Sequence, residues 1–516
     1  MKSLLLIVLA VALQQLSAAI QLAPLFRDGA VLQRDMPVPV WGRAEPSTSV
    51  MVKFGNQSHS TTSDASGRWM VELEPMHARS VGSNLVVSNS GISIEVKDVL
   101  VGEVWLASGQ SNMQWTVAQS RAEDQKIAKS AAVPLLRSFD VPRVLSHDRL
   151  ENVDGSWRSA TPENVGSFSA VGYFFARRLV EELDVPVGLI HSSWGGSRIE
   201  PWWAEEGLLE VPELREIAMD RRLKSPGFPK YQVAFSDYLG KVRNWVDACE
   251  TAIDAGRSVP EIPAAPAKLE LGHDRQTGTY QAMIHPLVPY ALRGFIWYQG
   301  EANRGDGLLY TAKMRGLIDG WRKQFRQPDA PFLYAQLAPF TYQGPKENDT
   351  KLAEIWWAQQ EVLNIPRTGM AVTNDVGNLK DIHPRNKSTV GVRLAKWALA
   401  DSYGREDIVK SGPLYAGFEV LPDGLIVRFE HSGGGLATRD GKAPTWFECA
   451  AADGEYHPAL AEIMPDGKSI RLSSPKVPKP VRARFAWSQL AQPNLMNQEG
   501  LPAGAFLTHP AEIGAQ

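Results

Sequence analysis

Four short polar segments of the chain carry side chains that could perform acyl transfer. They are GQSN at residues 109–112, SSWGGSR at 192–198, QGEAN at 299–303 and DVGNLKDIHP at 375–384. Ser111 could attack an acyl carbon, and His383 could accept the hydroxyl proton and later donate it to the leaving alcohol. Asp381 could orient the imidazole and stabilise its charged form. Together the four polar segments contain the groups that a serine esterase requires.

The same segments contain donors that could stabilise a negatively charged tetrahedral intermediate. The backbone N–H of Ser111 is one candidate, and the N–H of Gly195 or Gly196 is another, because glycine allows close backbone approach. A side-chain amide from Gln299 or Asn303 is the third. Each segment also has a simpler interpretation by itself, since Ser111 could cap a helix and the amides could bind loop backbone. It is the combination that favours catalysis.

A parallel sheet is predicted to position these segments. Five apolar runs alternate with longer helical segments, which is typical of an α/β sheet with helices on both faces. The runs are residues 103–107, 185–191, 293–298, 331–337 and 369–375. Ligands bind beyond the carboxyl ends of such strands, and a polar segment follows four of the five runs. We therefore expect the reactive residues to meet at one edge of the sheet.

The chain divides into regions of different pattern. Short alternating strands predict β-sandwich-like domains at residues 20–98 and 409–516, on either side of the α/β region at 99–408. Helical material at about 200–280 forms an insertion in the α/β region, and an apolar face within it includes Cys249. We expect that cysteine to lie in the core of the insertion. The other cysteine is Cys449, and we expect both thiols to be buried and unpaired.

Residues 1–19 have the order of a secretory signal peptide. Lys2 precedes an apolar stretch that ends at Leu13, and small residues follow up to Ala19. We therefore expect an exported protein, secreted or periplasmic. No later stretch predicts a membrane span. The formal net charge of −3, from 54 basic and 57 acidic residues, does not indicate nucleic acid as a partner.

The polar segments resemble the sequence blocks of a known superfamily. GQSNM, GGSR, WYQGEAN and DIHPRNK are similar to blocks of the SGNH (GDSL-like) hydrolases, in the branch of sialate O-acetylesterases and related carbohydrate acetylesterases. LFRDGAVLQRDMPVPVWGRAEP, GRWMVELEP and NQEGLPAGAF resemble the outer β-regions of the same proteins. The resemblance implies an SGNH-like α/β fold with a five-stranded parallel sheet. It also implies removal of O-acetyl groups from a sugar or glycan, without a cofactor or a metal.

The resemblance implies roles for single residues. Ser111 would be the nucleophile and His383 the base, and Gly196 with the amides of Gln299 and Asn303 would contact the oxyanion. The turn at Ser111 differs from the G-x-S-x-G elbow of α/β-hydrolases, because it has no second glycine. The substrate implied is an acetylated sugar or glycan.

The acid behind the histidine has two candidate assignments. The usual acid of the superfamily lies three residues before the histidine, and that position is Lys380 here. Asp381 matches the DIHP form of this branch, and Asp375 is the alternative. Some relatives work with a Ser–His dyad, so the acid is the least determined member of the predicted site.

Residues that flank the expected site are candidates for substrate contact. They are Gln110, Trp194, Arg198 and Glu301. Arg198 could bind a substrate carboxylate or pair with a nearby acidic side chain. Glu301 could equally hold loops together. Trp194 could stack on a sugar together with Trp202 and Trp203, or all three could be core residues.

Two other functions fit parts of the pattern. A metal-dependent hydrolase could hold a divalent ion with Asp375, Asp381, His383 and Glu301. A glycan-binding protein without catalytic activity could use the β-domains and the 16 tryptophans. A binding protein does not need a base, an acid and amides at separate strand ends, so the esterase is favoured.

Overall fold

The structure, a computed structural model, describes residues 20–130, 132–342 and 349–508. The predicted signal peptide at residues 1–19 lies outside these ranges. Within them the strands form an N-terminal group, a central parallel sheet and a C-terminal group, and helices pack on the central sheet. No helix in the described ranges is long and apolar enough to cross a membrane.

The N-terminal strands form two sheets. They are β1 (Gln21–Leu22), β2 (Val31–Gln33), β3 (Val38–Arg43), β4 (Ser49–Phe54), β5 (Gln57–Thr62), β6 (Arg68–Leu73), β7 (Arg79–Ser88) and β8 (Ser93–Gly109). Strands β1, β3 and β6 make one antiparallel sheet, and the others pair with one another or with β8. Exposed and buried residues alternate along β4, so Val50 and Val52 face the core.

Strand β8 belongs to both the N-terminal group and the central sheet. It is 17 residues long, and its first part pairs with β2 and β7. Its residues from Glu103 onward pair with two parallel strands of the central sheet. Every residue from Val99 to Gly109 is buried. The boundary predicted between residues 98 and 99 therefore falls inside one continuous strand.

The central sheet has six parallel strands, one more than the five that the sequence predicts. The strands after β8 are β9 (Val133–Asp140), β10 (Trp157–Ala160), β11 (Val187–Ser193), β12 (Gly294–Tyr298), β13 (Phe332–Ala335) and β14 (Thr368–Ala371). Their order is β9, β11, β8, β12, β13 and β14, with β10 antiparallel beside β9. All five predicted strands are present. Strand β9 was missed because Pro134 and Arg137 interrupt its apolar pattern.

Eight α-helices lie within the described ranges. They are α1 (Ser111–Gln114), α2 (Ala122–Lys129), α3 (Ala170–Leu183), α4 (Arg215–Leu223), α5 (Pro229–Asp254), α6 (Leu309–Gln324), α7 (Lys351–Glu361) and α8 (Lys387–Tyr403). Trp105 of β8 contacts Phe175 of α3, and Phe295 of β12 contacts Trp321 of α6. These contacts lie on opposite faces of the sheet, so helices cover both faces, as predicted.

The predicted insertion contains α4 and the 26-residue helix α5. The apolar side of α5 is largely half-buried, and Trp245 donates its indole N–H to the carbonyl of Pro260 at 2.8 Å. Cys249 on this side is half-buried, so the prediction of a buried core thiol is wrong for this residue. Cys449 is buried as predicted, and both cysteines are unpaired.

The C-terminal group consists of antiparallel strands, in the region where β-structure is predicted. They are β15 (Leu414–Leu421), β16 (Gly424–Glu430), β17 (Leu436–Thr438), β18 (Phe447–Ala450), β19 (Tyr456–Pro458), β20 (Leu460–Ile463), β21 (Ser469–Ser473), β22 (Arg482–Phe485), β23 (Leu495–Asn497) and β24 (Phe506–Leu507). They form two four-stranded sheets and one two-stranded sheet. Phe447, Phe485 and Phe506 pack together at their centre.

Candidate active site

Ser111 and His383 meet at the carboxyl edge of the central sheet. Ser111 opens α1 directly after β8, and His383 lies in the loop between β14 and α8. Gly109 makes the turn with a φ of 134°, and a Cβ there would lie 2.2 Å from the carbonyl oxygen of Tyr298. The Oγ of Ser111 lies 2.9 Å from the Nε2 of His383. The hydroxyl can therefore donate its proton to the imidazole.

The Ser111 hydroxyl does not cap its helix. Gln110 occupies the N-cap position of α1, and no side chain makes a capping hydrogen bond there. Strand β8 has neighbours on both sides that come later in the chain, β11 and β12. This is the switch point at which open α/β sheets bind ligands.

Asp381 binds the backbone of the histidine and lies near its ring. Its Oδ1 accepts the backbone N–H of His383 at 2.9 Å, and the same oxygen is 3.8 Å from Nδ1. The second distance is too long for a hydrogen bond but short enough for charge attraction. Asp375 instead forms two contacts of 2.6 Å with the guanidinium of Arg393. The structure therefore brings Asp381, and not the alternative Asp375, to the imidazole.

The surroundings of His383 favour the neutral form of its imidazole. Trp115 stacks on the ring at 4.8 Å with an interplanar angle of 15°. Burial and the positive charge of Lys387 lower the pKa of His383, while the charge of Asp381 opposes them, and the pKa is lowered overall. A neutral imidazole is the form that accepts a proton.

The glycine loop after β11 approaches Ser111. A Cβ added to Gly195 would lie 3.4 Å from the Cβ of Ser111, and the N–H of Gly195 donates to Oε1 of Gln114 at 2.6 Å. Gly196 is exposed with a φ of 79°, and its N–H has no acceptor among the described residues. The N–H of Ser111, in the first turn of α1, has no intrahelical acceptor either. Gly196 therefore presents the available donor of this loop.

The two predicted side-chain amides are engaged with interior acceptors, so the structure does not support their predicted role as oxyanion donors. The Nε2 of Gln299 donates to the Ser197 carbonyl at 3.1 Å and to Oδ1 of Asn303 at 2.8 Å. The Nδ2 of Asn303 donates to Oδ2 of Asp306 at 2.7 Å and to the carboxylate of Glu200. Both side chains are fully buried. Each amide nitrogen has two protons, and interior acceptors use all of them.

Arg198 pairs with acidic side chains and is not free for a substrate carboxylate. Its Nη2 lies 3.0 Å from Oε1 of Glu200 and 3.4 Å from Oδ1 of Asp306. Its Nη1 donates to the carbonyl of Ala302 at 3.0 Å. Two carboxylates neutralise the guanidinium. The structure therefore shows the alternative, a structural pair, and does not support the predicted substrate contact of this residue.

Gln110 and Glu301 also hold loops together. The buried side chain of Gln110 accepts the N–H of Gly300 at 3.2 Å. The Oε1 of Glu301 accepts Nδ2 of Asn112 at 2.5 Å. Because these atoms are engaged in the interior, the structure does not support the predicted substrate contacts of either residue.

Of the three tryptophans considered for sugar stacking, Trp194 is the one at the surface. It is half-exposed and stacks on His273 at 4.9 Å with an interplanar angle of 5°. Trp202 and Trp203 are 0% and 1% exposed, and their indole N–H groups donate to Ser197 and Lys313. Those two are core residues, so Trp194 alone of the three stays a candidate sugar contact.

A second Ser–His–Asp arrangement precedes the glycine loop. The Oγ of Ser193 lies 2.6 Å from Nε2 of His191, whose Nδ1 lies 2.8 Å from Oδ1 of Asp140. Ser193 is 4% exposed, whereas Ser111 is half-buried. A buried hydroxyl cannot reach a glycan ester, so this arrangement holds the end of β11 and provides a matched comparison for the pair at Ser111.

Several residues beside Ser111, His383 and the glycine loop were not predicted from the sequence. They are Asn112, Trp115, His273 and Lys387. Lys387 lies at helical spacing from Val390 and Leu394, which are buried, so it falls on the apolar side of α8. That pattern is a signal for a buried lysine. His273 comes from the insertion, and nothing in the sequence connects it with Trp194.

The residues suggested for a metal site do not form one. No group of three or more His, Cys, Asp and Glu side chains in the described ranges is arranged to hold a metal ion. Asp375 binds Arg393, and Glu301 binds Asn112. The four side chains of that alternative therefore do not converge.

The fold and the polar edge of the sheet place the chain among the carbohydrate esterases. The family model described as carbohydrate esterase, sialic acid-specific acetylesterase, matches residues 257–400. The sialate O-acetylesterase of Mus musculus is 33% identical over 425 residues, which are 75% of this chain and 74% of that protein. The human enzyme is 30% identical over 438 residues, 77% of this chain and 75% of that protein. The chain belongs to the sialate O-acetylesterase family and is a carboxylic ester hydrolase.

A solved structure agrees with this assignment. The crystal structure of a carbohydrate acetylesterase from Xanthomonas citri matches with a TM-score of 0.79 and 34% identity, over 95% of this chain and 100% of that chain. The resemblance inferred from the polar segments is thereby confirmed, and the alternative of a binding protein without activity is wrong. The family model covers His383 but not Ser111, and the geometry of the sheet edge connects the two.

Proposed function

We propose that the chain removes O-acetyl groups from sugars through a covalent acetyl-Ser111 intermediate. The observation that carries the proposal is the 2.9 Å contact between the Ser111 hydroxyl and Nε2 of His383. The hydroxyl lies at the switch point of the sheet, beside a glycine loop with an unused N–H. A nucleophile with an adjacent neutral base is the arrangement that covalent acyl transfer needs.

The proposed reaction has two halves. In the first, His383 takes the proton of Ser111 while Oγ attacks the acetyl carbonyl carbon, and the bond to the sugar oxygen breaks as His383 protonates that oxygen. In the second, His383 takes a proton from water, which attacks the acetyl carbon, and the Ser111 oxygen leaves and recovers its proton. Ester and water thus become a sugar hydroxyl and acetic acid, which releases its proton to solvent as acetate.

Two backbone N–H groups are the proposed oxyanion donors. They belong to Ser111 and Gly196, and neither has an acceptor among the described residues. Loss of one such donor typically costs about 3 kcal/mol in the transition state. The φ of 79° at Gly196 supports this role, because a residue with a side chain rarely adopts that conformation.

We assign the orienting acid to Asp381 and expect a moderate effect of its loss. Asp381→Asn should lower kcat by about 10- to 100-fold, because the carboxylate attracts the imidazolium across 3.8 Å without a hydrogen bond to Nδ1. Asp375→Asn should leave kcat unchanged and lower the melting temperature, because it removes one partner of the ion pair with Arg393. For both variants, the rate of acetate release gives kcat and thermal unfolding gives the melting temperature. The reverse pattern would assign the acid to Asp375.

Covalent labelling tests the proposed nucleophile. A serine-reactive organophosphonate should inactivate the enzyme with one label per chain, and peptide mass spectrometry should locate that label on Ser111. Ser193 is the matched comparison, because it also contacts a histidine but is buried. Labelling of Ser193 alone, or full activity after complete labelling, would overturn the proposal.

A further inference from the structure

Lys387 is a fully buried lysine near the proposed catalytic pair. It is the first residue of α8, four positions after His383, and its exposure is 0%. Its Nζ donates to Oδ1 of Asn112 at 2.5 Å, and its backbone N–H donates to the buried carboxylate of Asp124 at 2.9 Å. Lysine is almost never fully buried unless it is paired. Both ends of this residue are therefore held by specific partners.

Asn112 connects Lys387 with the histidine loop. Its Nδ2 donates to Oε1 of Glu301 at 2.5 Å and to the carbonyl of Ile382 at 3.1 Å. With Lys387 at Oδ1, all the polar atoms of the amide are engaged, which fixes its orientation. Asn112 directly follows Ser111, and Ile382 directly precedes His383. One buried amide thus joins the neighbours of the nucleophile and of the base.

The peptide unit between Ile382 and His383 is held on both sides. Its carbonyl accepts from Asn112, and its N–H donates to Oδ1 of Asp381 at 2.9 Å. Trp115 stacks on the imidazole that follows. Rotation of this peptide would break at least one of the two hydrogen bonds. The contacts therefore determine where Nε2 lies relative to the Ser111 hydroxyl.

We propose that Lys387 is a positioning residue that holds Asn112 and, through Asn112, the backbone of His383 in line with Ser111. The inference rests on the proposed roles of Ser111 and His383. Lys387 makes no contact with Ser111 or with the polar atoms of His383, so it acts through the amide and through its charge. Loss of its side chain would leave Oδ1 of Asn112 without its partner and free the amide to turn.

The charge of Lys387 also acts on the imidazole. The carboxylates that face Lys387 are Glu301, Asp381 and Asp124, and burial lowers its pKa to about 7. The ammonium is therefore charged at the acidic pH values where His383 takes up a proton. Burial first, and this charge second, lower the pKa of His383. Removing the charge should raise that pKa.

The sign of the expected pH effect follows from the role of the base. Activity requires neutral His383 and is lost as the pH falls through its pKa. A higher pKa therefore moves the acidic limb of the kcat/KM profile to higher pH. Asp381 acts in the opposite direction, and Arg385, exposed on the same loop, lies over the Trp115 ring. Both residues stay unchanged in the test.

Lys387→Met tests the proposal, with Lys396→Met as the matched control. Methionine keeps an unbranched side chain that is only one atom shorter, and it removes the charge and the donor. With p-nitrophenyl acetate we expect kcat to fall by about 10- to 100-fold, KM to stay unchanged, and the acidic limb to move to higher pH. Lys396 is half-buried farther along α8, outside this network, so its variant should keep wild-type kcat and pH profile.

A second variant separates positioning from charge. Asn112→Ala retains the ammonium but removes the link, so kcat should fall without an upward move of the acidic limb. The proposal would be overturned if Lys387→Met folds and has wild-type kcat together with an unmoved acidic limb. If the lysine variant does not fold, wild-type kcat in Asn112→Ala would overturn the proposal instead.

The proposed function has a separate test. It would be refuted if wild-type Ser111 carries no organophosphonate label.

Discussion

Replacing Ser111 by alanine is expected to reduce kcat for acetate release by about 10⁴- to 10⁶-fold, because no other hydroxyl of the described residues lies within hydrogen-bond distance of Nε2 of His383. The melting temperature should not change. The Oγ contacts only His383 among the hydrogen-bond partners in the described ranges, and alanine keeps the Cβ that packs near Gly195. Acetate release from p-nitrophenyl acetate and from an O-acetylated sugar, together with thermal unfolding, measure both expectations.

Ser193→Ala is the control for this substitution. It removes the hydroxyl of the second Ser–His–Asp arrangement, which is buried, so turnover should continue. A Ser111→Ala enzyme with kcat within tenfold of wild type, in a preparation free of other esterases, would exclude the acyl-serine mechanism. Loss of turnover in Ser193→Ala but not in Ser111→Ala would move the nucleophile to β11.

His383→Gln is the second change from which we expect a very large loss, again of about 10⁴-fold or more in kcat. Glutamine has no group that can take the Ser111 proton near neutral pH, so the hydroxyl remains a poor nucleophile. The double variant with Ser111→Ala should be no slower than either single variant, because the two residues act as one unit. Steady-state kinetics of the two single variants and the double variant test this non-additivity.

His191→Gln is the matched control, since His191 forms the other histidine–serine contact. It should retain turnover. Losses that multiply in the Ser111→Ala/His383→Gln variant would show that the two side chains act independently, which contradicts the proposed mechanism. The acidic limb set by His383 should be absent from the residual activity of His383→Gln, because that titrating base is gone.

The meeting of Ser111 and His383 could be predicted although they are 272 residues apart in the chain. Polar segments follow buried parallel strands, and parallel strands end at one edge of the sheet. Strand β9 could not be predicted in this way. Its Arg137 binds Asp98 and its Pro134 interrupts the apolar run, so the segment lacks the pattern of a buried strand. A strand that contains polar residues with distant partners therefore does not show the apolar pattern from which buried strands are predicted.

Which amide groups are free to act as oxyanion donors could not be predicted from the sequence. Gln299 and Asn303 have the right chemistry at the right strand end, yet Ser197, Glu200 and Asp306 use their protons. Competition for a donor depends on distances between loops, which residue types do not contain. The N–H of Gly196 could be predicted as a donor, because the absence of a side chain is what lets the backbone approach a ligand closely, and that depends on residue type alone.

Strand β8 limits how this enzyme could be recombined with its relatives. Its first half carries the N-terminal sheet and its last residues lead into Ser111. A truncation at residue 98 would remove part of this strand with its partners β2 and β7, and would expose Val99, Leu100 and Val101, which are at most 2% exposed. The N-terminal strands are therefore not an exchangeable module. A chimaera that borrows them from another esterase must take the whole of β8 as well, and with it the residues that lead into Ser111.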